Sequence, residues 1–257
     1  MRARTLKTAR HELTLDRTRL MGVLNMTPDS FSDGGRFVAV SDAVDHAASL
    51  VAAGATILDI GGESTRPGSD PVPLQVELDR VLPVVEALAG RLDVILSVDT
   101  WKAGVAQAAL AAGAEMVNDV TALRGDPAMA DVLGATAAPV VLMHALWPPR
   151  TMQDDPQYVD VVDDVSDFLL RQAGQALRRG IAPDRILVDP GIGFGKTLEH
   201  NLALLRSATR FLAGDFAVVY GPSRKGFLGE LTGRAVGERL MGTAAVAALL
   251  AAQGVHI

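Results

Sequence analysis

The 257-residue sequence contains no cysteine. That excludes disulfides, thiol nucleophiles and thiolate-held zinc, and it fits a cytoplasmic protein. It also lacks a basic excess: 24 Lys and Arg stand against 30 Asp and Glu, a formal net charge of −6. Such a balance argues against a general nucleic-acid binder. It leaves room for an anionic small molecule, because local basic groups outweigh a weak global field. Long apolar runs are missing too. Gly, Pro or a charge interrupts each one before the ~20 residues a membrane span needs. The opening MRARTLKTARHELTLDRTRL holds no apolar core for a signal peptide. What remains is 49% hydrophobic and 21% charged, the composition of a chain with a packed core.

Against these absences stands a regular alternation. Short runs rich in Val, Ile and Leu at 21–25, 56–61, 94–99, 116–119, 140–144, 186–189 and 217–220 read as buried parallel strands. Residues 255–257 read as the start of an eighth. Helical patterns fill the gaps at 41–53, 75–89, 102–112, 126–135, 158–179, 198–209 and 236–253. Gly54, Gly113, Gly180 and Gly254 each sit where a left-handed helix C-cap belongs. The spacing predicts an α/β chain, a single-domain (β/α)8 (TIM) barrel over 1–257. Residues 1–19 form an N-terminal extension or hairpin, and the eighth strand is expected to be cut short. An open doubly wound sheet is the alternative.

The strand ends are polar: Asn25, Asp59, Asp99, Asn118-Asp119, His144 and Asp189. A core strand needs no carboxylate, and a buried one is costly unless hydrogen-bonded. A single Asp there reads as a cap on the next helix. Several at one end of a barrel, where chemistry gathers, read as a ring around a ligand. The stretch ILVDPGIGFGKT at 186–197 resembles a nucleotide-binding P-loop, but Pro190 stands where the first glycine must be. Proline offers no N–H to a phosphate. Two further loops suit an oxyanion: GESTRPG at 62–68, with an Arg among hydroxyls and glycines, and GPSRKGF at 221–227 after the seventh strand.

Taken together, these stretches resemble the dihydropteroate synthase family. The matching pieces run in the family's order: GVLNMTPDSFSDGG at 22–35, GGESTRPG at 61–68, SVDT at 97–100, Asn118-Asp119, LMH at 142–144, DPGIGFGK at 189–196 and Ser223-Arg224-Lys225. The resemblance implies a barrel that joins 6-hydroxymethyl-7,8-dihydropterin pyrophosphate to p-aminobenzoate, releasing pyrophosphate and 7,8-dihydropteroate. It implies that Asp189 accepts hydrogen bonds from the pterin's 2-amino and N3 edge, and that Asp99 and Asn118 complete that edge, with Asp119 nearby. Met143 and Phe194 would pack on the ring, and Lys225 would reach the pterin beside Ser223. Asn25 would ligate or orient Mg2+. Asp33 and Arg66 would close over the pyrophosphate, and Phe31, Thr65 and Pro67 would frame the amine. The chemistry needs no strong base, since the aromatic amine attacks neutral.

The family continues its eighth strand into an Arg-x-His segment at the pyrophosphate. Here the sequence reads Val255-His256-Ile257, and His256 stands too early for that role. Two alternatives stand beside this reading: a pterin-binding homologue without turnover, which this ending supports, and the pterin-binding methyltransferases, which could share the Asp/Asn pterin edge. The late helix at 236–253 is apolar nearly all round. It reads either as buried in its own domain or, through the resemblance, as a homodimer contact.

Overall fold

The computed structural model describes residues 4–27, 35–66, 68–146, 148 and 150–257. An N-terminal hairpin comes first: β1 (Arg4–Lys7) pairs antiparallel with β2 (Glu12–Leu15). Seven parallel strands follow in sequential order: β3 (Leu20–Asn25), β4 (Ala55–Gly61), β5 (Ile95–Asp99), β6 (Met116–Asp119), β7 (Val140–Met143), β8 (Ile186–Asp189) and β9 (Ala217–Val218). Between them run α1 (Gly35–Ala52), α2 (Leu74–Leu88), α3 (Ala103–Ala112), α4 (Met129–Gly134), α5 (Val161–Arg178), α6 (Leu198–Arg206) and α7 (Ala208–Leu212). After β9 come α8 (Gly226–Thr232) and α9 (Leu240–Ala252). This is the curled sheet of a (β/α)8 barrel.

Residues 255–257 occupy the place of the eighth strand. Ile257 N–H donates to Val218 O at 3.2 Å, and Tyr220 N–H donates to Ile257 O at 3.0 Å. On the other side Arg19 N–H donates to His256 O at 2.8 Å. The first and last parts of the sheet are thereby joined at their base. His256 spends its ring on the fold, since Nδ1 accepts from Val218 N–H at 3.1 Å.

Two apolar layers hold the barrel. Outward-facing strand residues such as Leu24, Ile60, Val98, Val117, Leu142 and Val188 pack against the helices. Inward-facing Ile57, Ile95, Met116, Val141, Leu187 and Ile257 fill the lower interior, and Leu6 and Leu15 of the hairpin plug it from below. Buried Glu115 latches the hairpin, accepting from Thr8 Oγ1 at 2.6 Å and Arg10 N–H at 3.0 Å.

Several boundaries differ from the sequence pattern. The helix expected at 198–209 breaks at Ser207 into α6 and α7. The strand expected at 217–220 is regular over Ala217–Val218, while Val219 N–H and Tyr220 N–H still donate to Val188 O and Ile257 O. α8 was hidden in a glycine-containing segment. The helix expected at 236–253 is a 3-10 turn, Val236–Glu238, followed by α9. Nor is α9 buried in its own domain: only Leu250 is, while Leu240, Met241 and Leu249 are more than 60% exposed.

Candidate active site

Strand register builds the site. It sets Asn25, Gly61, Asp99 and Asn118 side by side across β3 to β6, and it sets Met143 opposite Asp189. Gly61 has a geometric task. A Cβ there would lie 3.5 Å from Asp99 Oδ2 and 3.7 Å from Asn25 Oδ1, so its absence keeps the space between them open.

These side chains face a cavity of about 750 Å3 at the C-terminal end of the sheet. Asn25, Asp99, Asn118, Met143 and Asp189 line it from the strands. Thr65 and Arg66 enter from the loop after β4, Phe194 from the loop after β8, and Ser223 and Lys225 from the loop after β9. Phe31, Asp33 and Pro67 lie outside the described residues. The cavity continues past Val23 and Leu20 toward Ala247 and Leu250, between β3 and α9.

The floor is acidic. Asp59 is buried and accepts from Ser97 Oγ at 2.6 Å and from Asn118 Nδ2 at 2.8 Å. It therefore holds the Asn118 amide by its Nδ2 end. Burial pushes its carboxyl above the usual range, against those two bonds. Asp99 is pushed well above that range, first by burial and then by Asp59, Glu77, Asp119 and Glu63. Its Oδ1 is buried and takes no hydrogen bond from the described residues, so an incoming donor is what would satisfy it. Asp59 appeared in the sequence only as a polar strand end. Its position two residues before Gly61, on the same face one layer deeper, is the signal that could have assigned it.

Asp189 stands on the far wall. Its Oδ1 accepts from Gly191 N–H at 2.7 Å, which fixes the carboxylate plane. Burial pushes it up; Lys225, that N–H and Lys196 oppose the shift. Phe194 packs on the Met143, Val120 and Ala145 cluster, making an apolar wall. Lys225 donates to Ile192 O and lies 4.2 Å from the Phe194 ring centroid. Burial lowers the Lys225 pKa to about 8, with Asp189 and Asp99 partly offsetting it. The α9 end holds this loop: Arg239 Nη1 donates to Arg224 O at 3.1 Å, and Arg224 N–H donates to Thr243 Oγ1 at 3.0 Å.

Two sequence features take structural roles. The Gly-Lys-Thr that resembles a P-loop supports the fold. Buried Lys196 donates to His144 Nδ1 at 2.9 Å and to Phe194 O at 3.1 Å, and Thr197 caps α6 through His200 N–H. His144 stays neutral, its pKa pushed to about 2 by burial and by Lys196 and Arg124. Asp119 does not line the cavity. It accepts from Thr121 N–H at 2.8 Å and Leu123 N–H at 2.7 Å, folding a loop in which Ala122 and Leu123 hold positive φ.

Comparison with known proteins decides between the pterin-binding readings. A family model described as "Pterin binding enzyme" matches residues 21–257. The dihydropteroate synthase of Escherichia coli K12 is 44% identical over 245 residues, 95% of this chain and 86% of that protein. That of Synechocystis is 43% identical over 242 residues, 94% of this chain and 84% of that protein. The chain belongs to the dihydropteroate synthase family. Among solved structures, a Xanthomonas albilineans dihydropteroate synthase with 4-aminobenzoic acid superposes with a TM-score of 0.92 at 46% identity, covering 99% of this chain and 91% of that one. The same organism's synthase in complex with 7,8-dihydropteroate gives a TM-score of 0.88 at 43% identity, with 98% and 90% covered. At this identity the synthases, not the methyltransferases, are the chain's own family. Like them, it is a transferase.

Proposed function

We propose that this cavity condenses 6-hydroxymethyl-7,8-dihydropterin pyrophosphate with p-aminobenzoate, giving 7,8-dihydropteroate and pyrophosphate. One observation carries the reading. One cavity is lined by an apolar wall (Met143, Phe194), by hydrogen-bonding groups (Asp189, Asp99, Asn118) and by the cations Arg66 and Lys225. A planar heterocycle with a donor–donor edge fits the Asp189 carboxylate as a guanidinium would. Asn118, oriented by Asp59, and the unsatisfied Asp99 Oδ1 would complete the edge. Ser223 and Thr65, with Phe31 and Pro67, would frame the aromatic amine. Arg66 and Asp33 would close over the pyrophosphate.

The residues present suit Mg2+ in a limited way. Among the described residues no group of three or more His, Asp or Glu could cage a metal ion. The Asn25 amide oxygen, kept clear by Gly61, offers one hard ligand, as suits an ion held mainly by phosphate oxygens and water. When bound, Mg2+ would neutralise charge on the departing pyrophosphate. Arg66 would stabilise the same charge. Asp99 would stabilise positive charge on the exocyclic carbon, and the neutral amine would attack without a base. The loops would keep water from that carbon.

We further propose a homodimer through α9, which leaves the large apolar side chains Leu240, Met241 and Leu249 exposed, and a cytoplasmic site of action. Chromatography of a reaction containing both substrates tests the function. 7,8-Dihydropteroate is expected; pterin binding without product would favour the non-catalytic reading.

A further inference from the structure

Arg66 and Thr65 reach the cavity from a loop with little apolar anchorage of its own. Its base rests on Glu63. Although charged, Glu63 is buried. Three donors converge on it: Trp101 Nε1 at 2.8 Å, Val72 N–H at 3.0 Å and Lys102 Nζ. Lys102, also buried, donates equally to Glu77 of α2, and Glu77 accepts from Thr100 Oγ1 at 2.6 Å.

The chain path gives this cluster its meaning. Val72 ends the loop that Glu63 begins, so one carboxylate ties both ends together. Thr100, Trp101 and Lys102 directly follow Asp99 at the strand end. The same carboxylate thus joins the Arg66 loop to the segment that carries Asp99. Within the loop, Ser69 Oγ donates to Ser64 O at 2.6 Å and Arg66 O at 2.7 Å, tying both residues to Ser69. Gly62 presses the base on α2, where a Cβ would lie 2.8 Å from Val81 Cγ2, and its carbonyl accepts from Arg80 at 2.7 Å. Displacing the base therefore displaces the segment that carries Arg66.

Two carboxylates and one ammonium are taken out of water here. Such a cluster contributes little net stability but defines geometry, because its partners cannot shift without stranding a charge. An apolar contact would hold the loop as firmly but not at one register.

We propose that Glu63 is a positioning residue for the condensation: it sets Arg66, and with it the pyrophosphate, at a fixed distance from the pterin held by Asp99. The proposal rests on the synthase reading above, and wild-type turnover measured alongside fails only if that reading fails.

Glu63→Gln is the test. It leaves Lys102 paired with Glu77, so no ammonium is stranded, but it offers one acceptor oxygen where three donors converge. The expected result is a fall in kcat/KM for the pterin pyrophosphate of about 10- to 100-fold, with the affinity for 6-hydroxymethyl-7,8-dihydropterin, which lacks the pyrophosphate, unchanged. In an Arg66→Ala background the same substitution should cost less than about 2-fold, since the group it positions is gone. Equal losses in both backgrounds, or a parallel loss of pterin affinity, would overturn the proposal and leave Glu63 a purely structural residue. Should Glu63→Gln not fold, Trp101→Phe removes one donor and no charge, and the same cycle with Arg66→Ala decides.

Discussion

Lys225 Nζ lies 4.2 Å from the centre of the Phe194 ring while donating to the carbonyl of Ile192. The ammonium thus bridges the loops after β8 and β9 at the mouth of the pterin slot. Burial has already lowered its pKa to about 8, in part offset by Asp189 and Asp99. The donor form is therefore full below that value and lost above it. The kcat/KM of the free enzyme should decline as pH rises through about 8. Lys225→Arg cannot lose its proton in this range, so its profile, although lower, should stay flat there. A wild-type profile that is level to pH 9.5 would remove Lys225 from this role.

Asp189→Asn keeps the shape and an acceptor for Gly191 N–H, but it presents an amide donor where the ligand edge donates. Pterin affinity should fall by about 100-fold, the cost of a lost charged hydrogen bond plus a stranded donor. Calorimetry with the isolated pterin reads it directly. An unchanged Kd would mean that the ring binds elsewhere.

Gly191→Ala should disturb the fold before it disturbs chemistry. The residue holds φ +71°, and a Cβ would sit 1.9 Å from His144 O. The loop must then leave the β7 end, at a cost of about 3 kcal/mol or more. The urea midpoint should drop with an unchanged slope. A midpoint like that of the wild type would show that the close approach is not needed.

Chelation of divalent ions should abolish turnover while leaving the pyrophosphate-free pterin bound. Asn25→Ala should raise the Mg2+ concentration needed for half-maximal rate by about 10-fold, since one ligand among mostly water and phosphate is lost. The titration separates this from a defect in pterin binding, which would lower the rate at every Mg2+ concentration.

Met241→Glu places a charge on the exposed face of α9. A homodimer held there should become monomeric by sedimentation, because a buried unpaired charge opposes association strongly. A wild-type chain that already sediments as a monomer would contradict the dimer.

The barrel was legible because its signals are local. Val- and Ile-rich runs ending in Asn25, Asp99 or Asp189 specify strand and site together, and Gly54, Gly113, Gly180 and Gly254 indeed hold positive φ at helix ends. Asp99, Asn118 and Asp189 were legible as polar strand ends, whereas Met143 entered only through the family resemblance. Other features are set by distant contacts that leave no periodic trace. Asp119 looks like its neighbours in the sequence, yet Thr121 and Leu123 turn it into a loop brace. Glu63 and Lys102 are 39 residues apart, and nothing local says that they meet. The face of α9 is uniformly apolar, so composition could not tell which side stays exposed.

The most direct test of the account measures pyrophosphate and 7,8-dihydropteroate together, in one reaction, with and without p-aminobenzoate. Equal amounts of both products are expected with the amine and little pyrophosphate without it, because loops closing over the bound substrate would keep water from the reactive carbon. Pyrophosphate released at the same rate whether or not p-aminobenzoate is present, with no dihydropteroate formed, would contradict it.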